Sequence, residues 1–378
     1  MTIAFDFIGT NIGSGTKTYN INFCNELEHL HLKEDIIIFL TKSYFNQLKF
    51  SQKKNQKIKY VIKFEIFSNT FFRLFWMQFI LPFELKIMGA KKLYSPMNFC
   101  PIFLRLFRIK IVLALHSNLP WVFFYLMPGN IIRNFITKKL MELSISTCNA
   151  LIVDSYFAKE EISNILKIKK DKIKVIYLGI DKKYLSSEYS KNFVKTFNYN
   201  EKYIISVLSC VKYHNILNLL KAFKILINEI DFNIKLVLTL QILDKKYYEV
   251  LSSYIVSNFE KDKIIIINNI ESNNLPNLYK YSQLYIFSSY CEVFGLTSLE
   301  AMTQGCPVLI SNTSALPEIN GIASDYFDPD NIVDIKNKIK KILINENHKS
   351  NLIKNAEDHV KKFTWQNNVE KTLEIINS

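Results

Sequence analysis

The stretch SSYCEVFGLTSLEAMTQGCPVLI, residues 288–310, decides the fold because it marks a strand, a loop, a helix and a second strand in order. The apolar run before it ends at the first serine, and a loop carrying Glu292 follows. A helix is predicted to start near Gly295 and to contain Glu300. Gly305 suits the left-handed position that closes a helix, and the proline after it opens the next apolar run. The stretch therefore predicts one strand–helix–strand unit.

Short apolar runs of the same kind occur along the whole chain, with helix-period segments between many of them. They are continuous rather than alternating, which is typical of parallel strands covered on both faces. The runs form two series: Ile3–Ile8, Asp35–Leu40, Lys59–Phe64, Lys110–Leu115, Ala150–Asp154 and Ile173–Leu178, then Tyr203–Leu208, Ile234–Leu240, Lys263–Ile267, Leu284–Ser288 and Pro307–Ile310. Two such series predict an α/β protein of two Rossmann-like β/α/β domains.

The break between the two series predicts the domain boundaries. We expect a first domain over 1–181, a polar hinge or linker over 182–202 and a second domain over 203–360. A last helix within 361–378 is predicted to begin after Thr364 as its N-cap. Its apolar residues fall on one face, so this helix is expected to pack on a large surface.

Composition narrows the class of protein. The 378 residues carry 48 Lys and Arg against 34 Asp and Glu, a net charge of +14 that favours anionic ligands or surfaces. This charge is spread along the chain, without the basic block of a nucleic-acid-binding arm. Six cysteines without a C-x-x-C pair indicate reduced thiols, and no secretory or transmembrane pattern occurs. We therefore expect a cytoplasmic protein.

The carboxylate pair Glu292 and Glu300 belongs to a longer pattern. Phe294-Gly295-Leu296-Thr297 lies between the two acids, Ala301-Met302 follows, and Gly305-x-Pro307-Val308 ends the segment. This pattern resembles the E-x7-E motif of the retaining family 4 glycosyltransferases, which have the GT-B fold. The resemblance implies two Rossmann-like domains facing across a deep cleft, with a C-terminal helix that crosses back to the first domain.

The resemblance also assigns roles to these residues. It implies that Glu292 is a catalytic residue that binds hydroxyls of the donor sugar, and that Glu300 binds the ribose. The helix start formed by Phe294, Gly295, Leu296 and Thr297 is expected to bind the donor. Backbone N–H groups and the helix dipole at such a position can hold a diphosphate.

Similarity to the same family extends to other positions. Gly15, in the loop after the first strand, resembles the family's glycine loop and is expected to face the donor. His116 ends a strand where many members carry a His-Asp pair, and here Ser117 replaces the Asp. His116 is therefore the second expected catalytic residue. Lys212 and His214 occupy the place of the family's Arg-x5-Lys phosphate clamp, and both are expected to bind the donor.

The expected activity is a retaining transfer of a hexose-type sugar from a nucleoside-diphosphate sugar to a glycan or a polyprenyl- or lipid-linked acceptor. The usual setting of relatives is bacterial lipopolysaccharide, O-antigen or capsule synthesis. No cofactor and no metal are expected, since Asp328-Pro-Asp330 is interpreted as a turn. Aromatic and basic residues in 64–86 and 104–110 suit peripheral contact with an anionic membrane, at the inner face of the plasma membrane. Ordinary core packing of a helix is the alternative explanation of the aromatic residues. A nucleic-acid partner is not expected.

Other interpretations of the same residues remain open. A sugar-nucleotide epimerase on this fold would bind the donor without an acceptor. A non-catalytic basic module that binds membrane or nucleic acid would not need the two carboxylates beside a phosphate site. A glycosidase also uses paired carboxylates, but the Rossmann pattern disfavours it. A nicotinamide-dependent oxidoreductase is disfavoured because the first loop lacks the full G-x-G-x-x-G pattern.

Overall fold

The computed structural model describes residues 2–9, 14–48, 55–185, 201–231, 233–271 and 273–378. Most of the predicted linker 182–202 and the first glycine of the 13–17 loop lie outside these residues. Backbone contacts divide the chain into two compact units. Unit 1 comprises residues 1–121, 132–179 and 364–378, and unit 2 comprises residues 122–131 and 180–363.

Unit 1 is built on a seven-stranded parallel sheet in the order β3-β2-β1-β4-β5-β6-β7. Its strands are β1 (Thr2–Asp6), β2 (Asp35–Thr41), β3 (Ile58–Lys63), β4 (Ala90–Ser95), β5 (Lys110–Leu115), β6 (Ala150–Val153) and β7 (Ile173–Val175). The strand order reverses direction between β1 and β4. Ligands of open α/β sheets bind outside the carboxyl ends of the strands at such a point.

Helices of unit 1 follow most of these strands. They are α1 (Ser14–Leu27), α2 (Lys42–Phe45), α3 (Thr70–Phe75), α4 (Leu81–Ile87), α5 (Leu119–Val122, which reaches into unit 2), α6 (Ile131–Thr147) and α7 (Tyr156–Leu166). A π-helical turn, Trp76–Ile80, joins α3 to α4. Short 3-10 helices cover Glu65–Ser68, Ile102–Phe107 and Lys170–Lys172.

Unit 2 has a six-stranded parallel sheet in the order β10-β9-β8-β11-β12-β13. Its strands are β8 (Tyr203–Cys210), β9 (Lys235–Ile242), β10 (Ile264–Asn268), β11 (Leu284–Phe287), β12 (Val308–Ser311) and β13 (Asp325–Phe327). Its helices are α8 (Lys182–Leu185), α9 (Ile216–Ile227), α10 (Lys245–Asn258), α11 (Leu275–Tyr281), α12 (Leu296–Thr303), α13 (Leu316–Asn320), α14 (Ile332–Ile344) and α15 (Glu346–His359). Here the strand order reverses between β8 and β11.

These two sheets confirm the predicted α/β class with two Rossmann-like halves. The continuous apolar runs are the buried central strands: in β8, Ile204 and Ile205 are fully buried, as are Leu236 and Val237 in β9. Each isoleucine or leucine removed from water in this way stabilises the fold by about 1.5–3 kcal/mol.

Two strands were not predicted. β4 begins with Ala-Lys-Lys, so its apolar part is too short to stand out, and β13 has only three residues. Both are held by their neighbours rather than by local pattern, since β4 lies between β1 and β5 and β13 pairs with β12.

The last helix, α16 (Trp365–Asn377), belongs to unit 1. The predicted N-cap is confirmed, since the Thr364 hydroxyl accepts a hydrogen bond from the Asn367 N–H at 3.2 Å. Trp365 and Val369 enter the core cluster that contains residues of β1, β2 and α1. Gly179 permits this close approach, because a Cβ there would lie 2.3 Å from the backbone nitrogen of Trp365.

Among the described residues, no helix combines the length and the apolar character needed to cross a bilayer.

Candidate functional site

The chemistry-bearing residues of unit 2 lie just after the two strands where its sheet reverses direction. Lys212 and His214 follow β8 in a 3-10 turn, and Glu292 lies in the loop after β11. The two loops are tied together, because the Tyr290 N–H donates to the Tyr213 carbonyl at 2.8 Å. Residues far apart in the sequence thus converge at the edge where this fold binds ligands.

A contact between His214 and Glu292 forms the centre of this edge. Nε2 of His214 lies 3.4 Å from Oε1 of Glu292, and Nδ1 lies 2.7 Å from the Ser209 carbonyl. Because a carbonyl only accepts, Nδ1 must carry a hydrogen. The contact between Nε2 of His214 and Oε1 of Glu292 is therefore attractive only when a proton lies between these two atoms as well. Tyr213 packs edge-on against the same imidazole, with ring centroids 4.6 Å apart.

Glu292 is also fixed through its backbone. Its N–H donates to the Ser314 hydroxyl at 3.0 Å, and its carbonyl accepts from the Ala315 N–H at 3.1 Å. Ser314 adopts a left-handed conformation, φ 55°, to reach this position. The Glu292 side chain is 21% exposed, so it is held in place yet open to a ligand.

The predicted helix start is confirmed, and it depends on Gly295. This residue is the N-cap of α12 with φ 88°, a conformation that L side chains rarely adopt. A Cβ at this position would lie 2.5 Å from Cδ2 of Leu316. The first N–H groups of a helix have no intrahelical acceptor, and the dipole adds positive potential there. Leu296 and Thr297 open the helix, and the Thr297 hydroxyl is hydrogen-bonded to Tyr285 at 2.7 Å.

Phe294 and Lys212, both expected to bind the donor, present different groups to a ligand. The Phe294 side chain is buried against Phe363, with ring centroids 5.8 Å apart, so only its backbone faces the loop. Lys212 is exposed, and among the described residues its ammonium makes no ion pair. It is a cation in the turn after β8 that is available to an anionic group.

Glu300 lies inside α12, as predicted, and its side chain is buried. Tyr184 of α8 and Lys183 face the carboxyl, and the Gln304 side chain donates to the Tyr184 carbonyl at 2.6 Å. Burial raises the pKa of Glu300 to about 7, although Lys183 and the Tyr184 hydroxyl favour its ionised form. The predicted ribose-binding acid therefore titrates near neutral pH.

His116 of unit 1 ends β5, and its partner comes from the neighbouring strand. Nδ1 of His116 lies 3.0 Å from each carboxylate oxygen of Asp154, the residue after β6. Asn98 accepts the His116 backbone N–H at 2.7 Å. The ring packs on Tyr19, with centroids 4.5 Å apart, and Nε2 is buried with no hydrogen-bond partner among the described residues.

Gly15, the remaining expected donor-binding residue, is the second residue of α1. A Cβ there would meet nothing within 4 Å. Its position therefore does not require glycine for steric reasons within the described residues. Asp6, the last residue of β1, forms a buried ion pair with Arg73, with an Nη2–Oδ2 distance of 3.1 Å.

The Asp328-Pro-Asp330 segment forms a turn. Asp328 accepts the Asp330 N–H at 3.0 Å, and Asp330 accepts the Tyr290 hydroxyl at 2.6 Å. In the described part of the chain, no group of three or more His, Cys, Asp or Glu side chains is arranged to hold a metal ion.

Sequence reasoning missed several residues of these sites. Asp154 could have been found, because it ends the strand that follows His116 in sequence. Ser314, Tyr184 and Tyr213 carry no motif, and only the folded chain brings them to the acidic residues.

Comparisons with known proteins agree with this description. A family model described as glycosyl transferases group 1 matches residues 188–359, which lie in unit 2. The serotype-specific mannosyltransferase WbdA of Escherichia coli is 25% identical over 246 residues, covering 64% of this chain and 30% of that protein. The O-antigen chain mannosyltransferase RfbU of Salmonella typhimurium is 24% identical over 221 residues, 58% of each chain. The chain thus spans less than two thirds of the length of these relatives.

Solved structures match over the full length. Anabaena HepE in complex with UDP and glucose has a TM-score of 0.75 at 14% identity, covering 100% of this chain and 99% of that one. Sucrose-phosphate synthase from Thermosynechococcus elongatus has a TM-score of 0.76 at 15% identity, covering 99% and 98%. These identities establish the fold alone, which is the GT-B fold expected from the resemblance. With the family model, the relatives and the fold in agreement, the chain has the GT-B fold and is similar to the glycosyl transferases group 1 family over residues 188–359.

Proposed function

We propose that the protein is a retaining glycosyltransferase that moves a hexose from a nucleoside-diphosphate sugar to a glycan or lipid-linked acceptor. RfbU is named as an O-antigen chain mannosyltransferase, so the proposed setting is the assembly of a bacterial surface polysaccharide. The names of RfbU and WbdA favour mannose, whereas HepE binds UDP and glucose. We therefore propose a hexose donor and distinguish these two by experiment.

One observation carries this proposal: Glu292, held 3.4 Å from His214, lies four residues before Leu296, the first residue of helix α12. A sugar diphosphate has hydroxyls at one end and two negative phosphates at the other. The partly exposed Glu292 oxygens would accept hydrogen bonds from the sugar hydroxyls. The helix start at Gly295 and the cation of Lys212 would hold the diphosphate.

In the proposed reaction, the bond between the anomeric carbon and the diphosphate oxygen breaks. The acceptor oxygen forms its new bond on the same face of the sugar, so the configuration is retained. The acceptor proton passes to the departing diphosphate. Lys212 and the α12 N–H groups stabilise the charge that develops on that leaving group. Glu292 orients the sugar and stabilises its positive charge, and no covalent enzyme intermediate is required.

His116 is proposed to act on the acceptor half in unit 1. With Nδ1 bound to Asp154, the neutral ring presents Nε2 as a hydrogen-bond acceptor. An acceptor at Nε2 can orient a sugar hydroxyl, and the ionised Asp154 stabilises the ring if it takes up a proton.

The test is a panel of donors: UDP-glucose, GDP-mannose, and ADP- and dTDP-linked hexoses. Binding is measured by calorimetry, and slow hydrolysis by release of the nucleoside diphosphate. We expect one donor to bind and to be hydrolysed, and Glu292→Gln to lower hydrolysis about a hundredfold, since it removes the charge at the reacting sugar. Glu249→Gln, an exposed acid of α10, is the matched control and should behave like the wild type.

The proposal predicts retention of the anomeric configuration, which nuclear magnetic resonance of the first product reports. An inverted product would overturn the retaining chemistry but not the donor site. Absence of binding to every nucleotide sugar by a folded chain would overturn the transferase proposal itself.

A further inference from the structure

Unit 1 carries a row of exposed apolar side chains on one helical face. Phe71, Phe75, Phe79, Phe83 and Ile87, here named the aromatic stripe, are 72%, 50%, 57%, 58% and 84% exposed. The opposite face of the same helices is fully buried, with Trp76, Met77, Leu81 and Leu85 at 1% exposure or less. The helix therefore anchors to the sheet with one apolar face and shows a second one to solvent.

The π-helical turn aligns this row. In an α-helix, residues four apart drift around the axis, because one turn takes 3.6 residues. A π turn closes i→i+5 bonds and takes more residues per turn, so it rotates the following residues back. The turn Trp76–Ile80 stands between α3 and α4, in the middle of the stripe. Side chains spaced by four thus stay on one face over about 24 Å, from 16 steps of 1.5 Å.

A neighbouring segment widens the apolar face. Phe103 and Leu106 of the 3-10 helix Ile102–Phe107 are 54% and 80% exposed. The rings of Phe83 and Phe107 lie 5.4 Å apart, which joins this helix to the stripe. Soluble proteins rarely expose an apolar surface of this continuity without a partner for it.

Charge around the face is almost wholly positive. Exposed basic residues of this region are Lys86, Lys91, Arg105, Arg108 and Lys110. Residues 64–110 contain two acids, and both are engaged within the protein. Glu65 accepts from the Ser43 N–H and hydroxyl, and Glu84 accepts from Lys63 and Trp76. The face therefore offers aromatic side chains with a basic rim and no unpaired carboxylate.

We propose that this face docks unit 1 on an anionic lipid bilayer, with the aromatic stripe in the interfacial region and the basic rim on the lipid phosphates. Each phenylalanine contributes apolar burial, and each nearby cation adds attraction to anionic headgroups. A second protein chain is a poorer fit, since it would need both a matching apolar surface and many acidic residues.

One end of the docked face lies close to the carboxyl ends of the strands of unit 1. Arg73, on the buried side of α3, pairs with Asp6 at the carboxyl end of β1 and donates to the Ile8 carbonyl. The Phe71 end of the stripe thus lies beside the edge that carries His116. Docking there would place this edge next to an acceptor whose lipid part stays in the bilayer. This last step rests on the proposed function, whereas the docking itself does not.

The test is vesicle flotation of the full chain without donor or acceptor. Vesicles of phosphatidylcholine alone are compared with an equal mixture of phosphatidylcholine and phosphatidylglycerol. We expect the chain to float with the mixed vesicles and to be released by high salt. The double variant Phe79→Ser with Phe83→Ser should lower the apparent partition coefficient about tenfold or more. The control Val256→Ser with Ile322→Ser changes residues of unit 2 that are 82% and 78% exposed, and should float like the wild type.

A second pair of variants tests the contribution of the basic rim to flotation. Lys86→Gln with Lys91→Gln should weaken flotation on the mixed vesicles only, whereas Lys246→Gln with Lys261→Gln in unit 2 should not. Circular dichroism and melting temperature show that each variant is folded.

A wild type that floats with neither vesicle overturns the proposal. A stripe variant that floats as well as the wild type overturns it too. A third outcome is a wild type that does not float and that is a dimer by ultracentrifugation, whereas the stripe variant is a monomer. In that case the face binds a second copy of the chain and the membrane proposal is wrong. Donor hydrolysis, measured on the same samples, reports the transferase proposal separately.

Discussion

Nδ1 of His116 lies 3.0 Å from both carboxylate oxygens of Asp154, so the strand ends of β5 and β6 form a buried His–Asp pair. The carboxylate fixes the ring orientation and the tautomer, and it leaves Nε2 as the only ring atom free for chemistry. The departure at Ser117 from the family's usual His-Asp sequence is thus accompanied by an acidic partner from a neighbouring strand.

Changing Asp154→Asn should lower kcat about tenfold or more while the donor KM stays within about twofold. The amide can turn its NH2 toward Nδ1, which selects the other tautomer and removes the negative charge behind the ring. Steady-state kinetics of transfer measures both constants.

Asp35→Asn is the matched control, because Asp35 is an exposed acid at the opposite end of the same sheet, paired with Lys57. A donor KM that rises together with a fall in kcat, or an unchanged kcat, would contradict a positioning role for Asp154.

Changing His214→Asn should raise the donor Kd about tenfold, because the imidazole holds Glu292 through Nε2 and is itself held by the Ser209 carbonyl. Calorimetry with the identified donor measures the loss. His348→Asn provides a control in the same unit, since His348 is also bound to a carboxylate, Asp325 at 2.8 Å, at the sheet edge. Equal losses in the two variants would show that His214 acts only through stability.

Glu300 should make the stability of unit 2 depend on pH. Its pKa is raised from 4.5 to about 7 in the folded protein, so between these values the folded state binds more protons than the unfolded one. The free energy of unfolding therefore falls as pH rises through this window, by about 3 kcal/mol for this group.

Urea unfolding at pH 5 and pH 8, followed by a probe in unit 2, tests this sign. Glu300→Gln cannot ionise, so it should gain about 2.5 kcal/mol relative to the wild type between these two conditions. Glu249→Gln should show no such gain. A variant that loses relative stability as pH rises would show that the carboxyl is stabilised in its ionised form.

Donor binding should also depend on whether the Glu300 carboxyl is protonated. An ionised carboxylate accepts two hydroxyl hydrogen bonds, whereas a protonated one uses part of its capacity as a donor. The donor Kd should therefore fall as pH rises from 6 to 8, and this change should be absent in Glu300→Gln. Calorimetry at these two pH values measures it.

The two glycines that flank α12 allow the effect of backbone strain to be measured separately from the effect of side-chain crowding. Gly295 and Gly305 both have positive φ, 88° and 69°, but a Cβ meets Leu316 at 2.5 Å only at Gly295. Gly305→Ala should cost about 1–2 kcal/mol from the left-handed conformation. Gly295→Ala should cost more, because Leu316 must also move, and it should weaken donor binding. Urea midpoints and donor Kd distinguish the two, and equal costs would show that Leu316 adapts freely.

The sequence was informative where one residue determines local geometry. Gly295, Gly305 and Thr364 have conformations or caps that few other residues supply, so the limits of α12 and α16 were predicted. Continuous apolar runs likewise identified most strands. β4 was missed because the lysines at its start are tolerated only through its pairing with β1 and β5.

Contacts between distant residues could not be predicted in the same way. His116 and Asp154 are 38 residues apart, and the pairing of Glu292 with His214 depends on the order of strands in the sheet. The exposure of the aromatic stripe was also hidden, because an aromatic row at helical spacing is equally typical of a core. The helix has two apolar faces, and only the structure shows that one is buried and that the aromatic stripe faces solvent.

Because α16 belongs to unit 1, unit 1 can complete its core only after unit 2 has been synthesised. The ribosome makes β1–β7 first, then all of unit 2, and only afterwards the helix whose Trp365 and Val369 complete the core around β1. Unit 2 can fold as it emerges, whereas unit 1 must wait with part of its core open to water. A nonsense mutation that removes only the last turns would thus damage the part of the protein made first, while leaving unit 2 able to fold.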